Sequence, residues 1–391
     1  MRHNWNYKTI GDVCTSVTDG SHNPPKGIDK SDYRMISSQN IFDDNLILTD
    51  DSVRYLSKEN HIIEDKRTRL QKDVVLLTIV GTIGRACILT GNEGPLTLQR
   101  SVAALHPSEE ILPRFLLHTL IGNRTTLNQE AHGIAQKGLY LKQLSALRIP
   151  VPTIEEQQKI VSELDKINEL IRLKKEQLKD YDNLAQSIFY EMFGDPVVNE
   201  KGWEVKKIGE IGTVERGAGI SKKDFVEDGL PCIHYGQLHT ILGPTTRHHH
   251  SCIPESLLPK YKIAHTNDVI MAITSEDVEG SCKSTAWLGN YDIVIGSDAA
   301  ILHHEQDGTF LSYYTMTKAF FNEKSKYAKG FKVTHISAKE IENIPVYLPP
   351  LPLQQAFAQR IELIERQKAE IQSTIADLET LLASRMQYWF D

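Results

Sequence analysis

The residues best able to do chemistry are a histidine run, His248-His249-His250, with Cys252 two positions on, and the nearby Cys232 and His234. Thiolate and imidazole together suit zinc, but the spacings match no established finger, so a polar loop near phosphate is the better reading and no metal ligand is expected. A second candidate is Asn23-Pro24-Pro25-Lys26. Enzymes that methylate base amino groups carry an Asn/Asp-Pro-Pro-aromatic motif, whose ring stacks on a flipped base. Here Lys26 stands in the aromatic's place and no Gly-rich cofactor loop follows a strand nearby, which leaves a proline-rich turn able to face DNA. No GxxxxGK[ST] loop is present to cradle nucleotide phosphates. Ser, His and Asp are abundant but lack the context of a nucleophile elbow. No catalytic residue is expected; the chemistry points to recognition.

Any such loops need a scaffold, and two heptad stretches supply it. Ile160, Leu164, Ile167, Ile171, Lys174, Leu178, Tyr181, Ala185, Ile188 and Met192 step by four and three along a predicted helix over 154–193. Phe357, Ile361, Ile364, Lys368, Ile371, Ile375, Leu378, Leu382, Arg385 and Trp389 repeat the pattern 197 residues later. One narrow apolar stripe per helix is the seam of a coiled coil, so each helix seeks a partner helix. Lys174 and Lys368 interrupt the seam. Their stems can pack with the amines in water, or they can select the register. The pairs Gln157-Gln158 and Gln354-Gln355, with the basic edge Arg172, Lys174, Lys175 and Lys179, read either as a docking surface or as a solvated face.

The rest of the chain repeats as well. Trp5, Lys8, Ile10 and Gly11 recur as Trp203, Lys206, Ile208 and Gly209. Turn chemistry makes 19–26 a loop, and 33–41, 46–48, 73–80, 85–89 and 101–105 read as strands, with helices over 113–126 and 141–147. In the second half 268–274 matches the buried strand at 73, 299–302 matches 102–105, a helix over 310–321 matches the first, and Ile344-Pro345-Val346 matches Ile149-Pro150-Val151. The loops between these anchors differ almost completely, as expected of one scaffold built twice to read two different things.

Composition sets outer bounds. A chain of 391 residues has room for two or three domains. It contains no run of eighteen apolar residues for a membrane span and no apolar signal core near Met1. Cys14, Cys87, Cys232, Cys252 and Cys282 are odd in number and scattered, and read as reduced cytoplasmic thiols. A net charge of −7 argues weakly against nucleic acid, but the deciding quantity is local.

The tandem plan, Ile149-Pro150-Val151-Pro152 followed by Glu155-Glu156-Gln157-Gln158-Lys159-Ile160, and Phe193-Gly194-Asp195-Pro196 after the helix closely resemble the specificity subunit of type I restriction-modification systems. The loop Asp19-Gly20-Ser21-His22 and the Trp/Lys/Ile-Gly opening of each half also fit that family. The resemblance implies an α+β chain: two mixed α/β target-recognition domains separated by two long helices packed as an antiparallel coiled coil. The boundaries expected are 1–150 for the first recognition domain, 151–194 for the first spacer helix, 195–346 for the second domain and 347–391 for the second helix. It implies double-stranded DNA, two modification methyltransferase subunits and restriction/translocase subunits as partners. No cofactor belongs to this chain; S-adenosylmethionine, ATP and Mg are expected on those subunits. A helix of about 40 residues spans roughly 60 Å, so the helices are expected to set the gap between the two sequences read. The alternative is a non-catalytic coiled-coil scaffold that binds only proteins.

Base-reading candidates follow from side-chain chemistry: Arg and Lys for phosphate or guanine, Asn and Gln for adenine, Ser, Thr and His for shorter contacts. The first half offers His22, Lys26, Gln39, Asn40, Thr82, Arg85, Gln99, Arg100, Gln136 and Lys137. The second offers Arg216, Lys222, Lys223, His234, Tyr235, Gln237, Ser275, Lys283, Lys329 and Lys332.

Overall fold

The computed structural model describes residues 5–132, 137–220, 222–256, 261–328 and 333–390. The chain divides into two compact units, residues 1–175 with 373–391 and residues 176–372. Two helices of 40 residues, Ile154–Phe193 and Leu351–Phe390, each lend one end to each unit. Among the described residues no helix is long and apolar enough to cross a membrane.

In the first unit an antiparallel sheet runs in the order Cys14–Asp19, Val102–Pro107, Val75–Thr78, Ala86–Ile88. Val75–Thr78 is buried along its whole length, as its unbroken apolar run demands of a strand covered on both faces. A second, smaller sheet pairs Arg34–Ile36 in parallel with Leu96–Leu98, with Arg54–Tyr55 on its edge. Arg148–Val151 returns to pair with Asn6–Thr9, placing Pro150 in a two-stranded ribbon that tolerates the missing N–H. The second unit repeats this plan with Gly212–Arg216, Ala299–His304, Val269–Ala272 and Ser284–Trp287, and with a parallel pair of Leu230–Ile233 and Ile293–Ile295. Its ribbon is Glu204–Lys207 with Pro345–Leu348.

Several expected elements are broken where local hydrogen bonding wins. The strand expected over 33–41 is only Arg34–Ile36, because Ser38–Asn40 coils into a 3-10 turn. The helix expected over 113–126 divides at Asn123 into Pro113–Gly122 and Arg124–Glu130. The one expected over 310–321 divides into Gly308–Thr315 and Lys318–Lys324, the latter capped by the Thr317 side chain. A helix at Lys58–Thr68, capped by Ser57, is absent from the sequence reading.

Within each unit the long helices pack antiparallel. In the first unit Glu163 meets Arg385 and Trp389, while Lys175 meets Glu379 at 2.7 Å. Ile160, Leu164, Ile167, Ile171 and Ile375 are buried there, and Leu378 is half-buried. In the second unit Phe357, Ile361, Ile364 and Ile371 are buried, whereas Leu178 and Tyr181 are half-buried. The expected seam fails at the end of the first helix. Phe189 and Phe193 are enclosed, while Ile188 and Met192 are only half-buried. A straight helix drifts about 20° per heptad from a 3.5-residue repeat, and here the drift turns the stripe onto the unit's own core. Phe390, outside the heptad series, is likewise buried against Phe115.

The polar seam position Lys368 is partnered, not solvated. Its amine lies 2.8 Å from both Asp182 and Glu365, with the side chain 14% exposed. Burial pushes its pKa down, but the two carboxylates outweigh this and hold it above the ordinary 10.5. The first glutamine of each pair is also enclosed. Gln157 accepts from the Leu112 amide at 2.8 Å and donates to the carbonyls of Glu110 and Pro152. Gln354 accepts from the Asp307 amide at 3.0 Å and donates to the Pro349 carbonyl. Each clamps a long helix to its domain, so only Gln158 and Gln355 face solvent.

Helix Pro113–Gly122 is pinned to the first long helix by Asp165, which accepts from Arg114 Nε at 2.8 Å and is paired with buried His118 at 2.7 Å. Burial pushes the Asp165 carboxyl up, but the hydrogen bonds from His118 and Arg114 prevail and its pKa lies below 3.8. The stabilisation is complete above 3.8 and is lost as the pH falls from there through the lower folded value. Thermal melts should show wild type above Asp165→Asn at about pH 6, with the gap narrowing as the pH falls below 3.8. A gap that ignores pH would remove this ion pair as its source.

Candidate nucleic-acid interface

The carboxyl ends of the parallel strands and of their neighbours converge on one end of each unit, held by a repeated set of backbone bonds. In the first unit Gly20 N–H donates to Val102, Ser21 to Leu98, Gln99 to Ile36 and Ile79 to Ser101, at 3.1, 2.8, 2.8 and 2.9 Å. In the second, Gly217 donates to Ala299, Ala218 to Ile295, Gly296 to Ile233 and Ile273 to Asp298, at 2.9, 3.2, 3.0 and 2.9 Å. Glycine is required at the crossing. A Cβ on Gly20 would overlap the Leu98 carbonyl, and one on Gly217 the Gly296 carbonyl.

On this frame the two halves display different side chains. The residue before the glycine is Asp19 in one and Arg216 in the other. The positions following the second parallel strand carry Gln99 and Arg100 in the first half, Gly296 and Ser297 in the second. Asp19 is enclosed, with its side chain 8% exposed. Its carboxylate binds His22 Nε2 at 2.7 Å and the guanidinium of Arg67. Arg216 lies 3.7 Å from Asp298.

Four candidates of the first half lie on these loops. His22, Thr82 and Arg100 are exposed and Gln99 half-exposed on the converging loops, and the Arg100 amide bonds the Ser21 carbonyl at 3.0 Å. Arg85 is half-buried, its guanidinium 5.0 Å from the centre of the Phe42 ring. Lys26 is exposed on the loop that follows His22, and Lys137 is exposed next to Gly138, which bridges Val80. Gln39 is exposed but donates to the Ser52 carbonyl at 2.7 Å. In the second half Arg216 and Lys223 are exposed and Tyr235 is half-buried. Lys283 is exposed, with its amine on the His239 carbonyl at 3.1 Å. Lys222 begins the short turn Lys222–Asp224. Gln136, Lys329 and Lys332 lie outside the described residues.

Four candidates are corrected by their surroundings. Asn40 is wholly enclosed; it accepts from the Ser37 amide at 2.9 Å and donates to Ile47 and Ser52. Gln237 does the same work in the second half, accepting from the His234 amide at 2.9 Å and donating to Ser251 at 2.8 Å. Both close a capping box, which uses the amide that would otherwise read adenine. His234 is 9% exposed and its Nδ1 accepts from the Gly236 amide, so it too caps. Ser275 is 8% exposed and turns inward onto the Asp277 amide.

Arg67 escaped the sequence reading because its helix did. The signal was present: Ser57 as a cap, then residues 58–68 without Gly or Pro. No group of three or more His, Cys, Asp or Glu among the described residues could hold a metal ion. Cys232 is buried with its thiol pushed up to about 12 by burial, as are Cys14, Cys87 and Cys282.

Comparison with known proteins agrees with this doubled architecture. The type I restriction modification DNA specificity domain matches twice, over residues 2–180 and 200–380. The MjaVIII type I specificity subunit of Methanocaldococcus jannaschii is 24% identical over 320 residues, covering 75% of this chain and 72% of its own. The EcoBI specificity subunit of Escherichia coli is 32% identical over 148 residues, 36% of this chain and 31% of its own. The crystal structure of a type I S subunit from M. genitalium shares the fold at a TM-score of 0.57 with 14% identity, covering 100% of this chain and 97% of that one. Matched in both halves, this chain belongs to the type I restriction modification DNA specificity family.

Proposed function

We propose that the chain is the DNA sequence-recognition subunit of a type I restriction-modification complex, each half reading one part of a bipartite target. The observation that carries this reading is the strand-end frame, built twice from the same hydrogen bonds and dressed with different side chains. A repeated scaffold with different loops suits two unlike half-sites. The long helices then set the gap between them, and two methyltransferase subunits and the restriction/translocase subunits assemble on the chain in the cytoplasm. S-adenosylmethionine, ATP and Mg act on those subunits, and the chain itself contributes recognition without catalysis. Phosphate contacts position such a protein while base contacts specify, so the frame residues, not the helices, carry the sequence code.

Methylome sequencing of a host expressing the chain with its methyltransferase tests the reading. The expected result is a two-part motif with a fixed gap. Methylation that follows one continuous motif overturns the two-part reading, and methylation that follows no motif overturns it in favour of a scaffold that binds proteins only.

A further inference from the structure

We propose that Arg67 reads a guanine in the half-site of the first unit and that Asp19 is its positioning residue. The inference rests on the recognition role proposed above and extends it to a residue that sequence alone did not mark. Arg67 lies in the last turn of the helix Lys58–Thr68 and places Nη2 on Asp19 Oδ1, while Asp19 Oδ2 holds His22. The carboxylate is enclosed, but Arg67 and His22 keep 49% and 56% of their side chains exposed. That is the arrangement of a buried anchor with outward donors. The loop it anchors lies against Gln99 and Arg100 through the Ser21–Leu98 and Arg100–Ser21 bonds, so Arg67 stands among the loops that form the frame.

The pairing decides between base and phosphate. An arginine that serves phosphate works mainly by net charge and gains nothing from a neutralising carboxylate. Beside Asp19 the guanidinium loses much of its long-range attraction but keeps its orientation. Among the described residues Arg67 has no other bonded partner, so its remaining N–H donors are available to the paired acceptors O6 and N7 of guanine. The second unit supplies an independent parallel. At the frame position of Asp19 it carries Arg216, with Asp298 at 3.7 Å. Both halves thus hold an arginine beside an aspartate at the same point of the frame, drawn from different segments.

The test is the methylation motif of the whole complex in cells, compared for wild type, Arg67→Ala, Arg67→Lys and Asp19→Asn. Arg67→Ala should relax one base position in one half-site by roughly 5- to 150-fold and leave the other half-site intact. Arg67→Lys should relax the same position, because an ammonium lacks the planar fork. Asp19→Asn should loosen that position too, an effect that mere loss of stability would not confine to one base. A motif unchanged in Arg67→Ala and Arg67→Lys overturns the inference. So does uniformly weaker methylation at all sequences with a shallower salt dependence, which marks a phosphate contact. If wild type itself shows no two-part motif, the recognition role fails, independently of Arg67.

Discussion

Phe193→Ala should destabilise the second unit by about 3–5 kcal/mol, whereas Met192→Ala one position earlier should cost less than about 1.5 kcal/mol. The heptad reading of the sequence expects the opposite order. Phe193 is fully buried, and its ring lies 5.0, 4.8 and 5.4 Å from those of Phe189, Phe310 and Phe357. Phe189 in turn stacks on Phe310 at 5.8 Å. Aromatic pairs of this kind add about 0.5–1.5 kcal/mol each beyond area burial, so truncation removes several contacts at once and leaves a cavity the rigid neighbours cannot fill. Met192 is half-buried at the edge of the same cluster. A loss of this size should move the melting point by roughly 6–20 °C. Hydrogen exchange read by mass spectrometry can place the effect in residues 176–372. Equal costs for the two variants would restore Met192 to the seam.

Gly20→Ala should weaken reading of one half-site more than about tenfold, and Gly217→Ala reading of the other. In each case the new methyl group meets a backbone carbonyl, of Leu98 or of Gly296, that is part of a parallel strand end and cannot swing aside as a flexible side chain would. Overpacking of this kind costs about 1–3 kcal/mol or more, and the relief available is to part the loops that the frame holds together. Competition binding of the complex to duplexes altered in one half-site should show the loss: more than about tenfold weaker discrimination at one half, at 1.4 kcal/mol per tenfold, with the other half unchanged. Equal damage to both half-sites by either variant would break the link between each glycine and its own unit.

These two tests also divide what could be read early from what could not. The long helices were legible from Ile160, Leu164, Ile167 and Ile171 because a 3.5-residue repeat is a local property, and so was the doubling of the chain, from Trp5 and Trp203 onward. Asn40 and Gln237 were misread for a reason of another kind. An amide side chain can read adenine or close a cap, and the choice depends on where the nearest free N–H groups point. Here those belong to Ser37 and His234, which take the side chain inward.

The sequence by itself determined the architecture: two copies of one scaffold, each tied to a long helix, with unlike loops between matching anchors. Periodicity and turn residues are carried by near neighbours in the chain, and repetition by the order of residue types alone. Only the tertiary structure decided which polar residues look outward. Asp19 and Arg67 are separated by 48 positions and meet because a helix folds back over a strand end. Asn40 turns inward because Ser52 and Ile47 close around it. Burial and partnership are properties of the packed chain, and they select the reading face from a larger set of residues with the same chemistry.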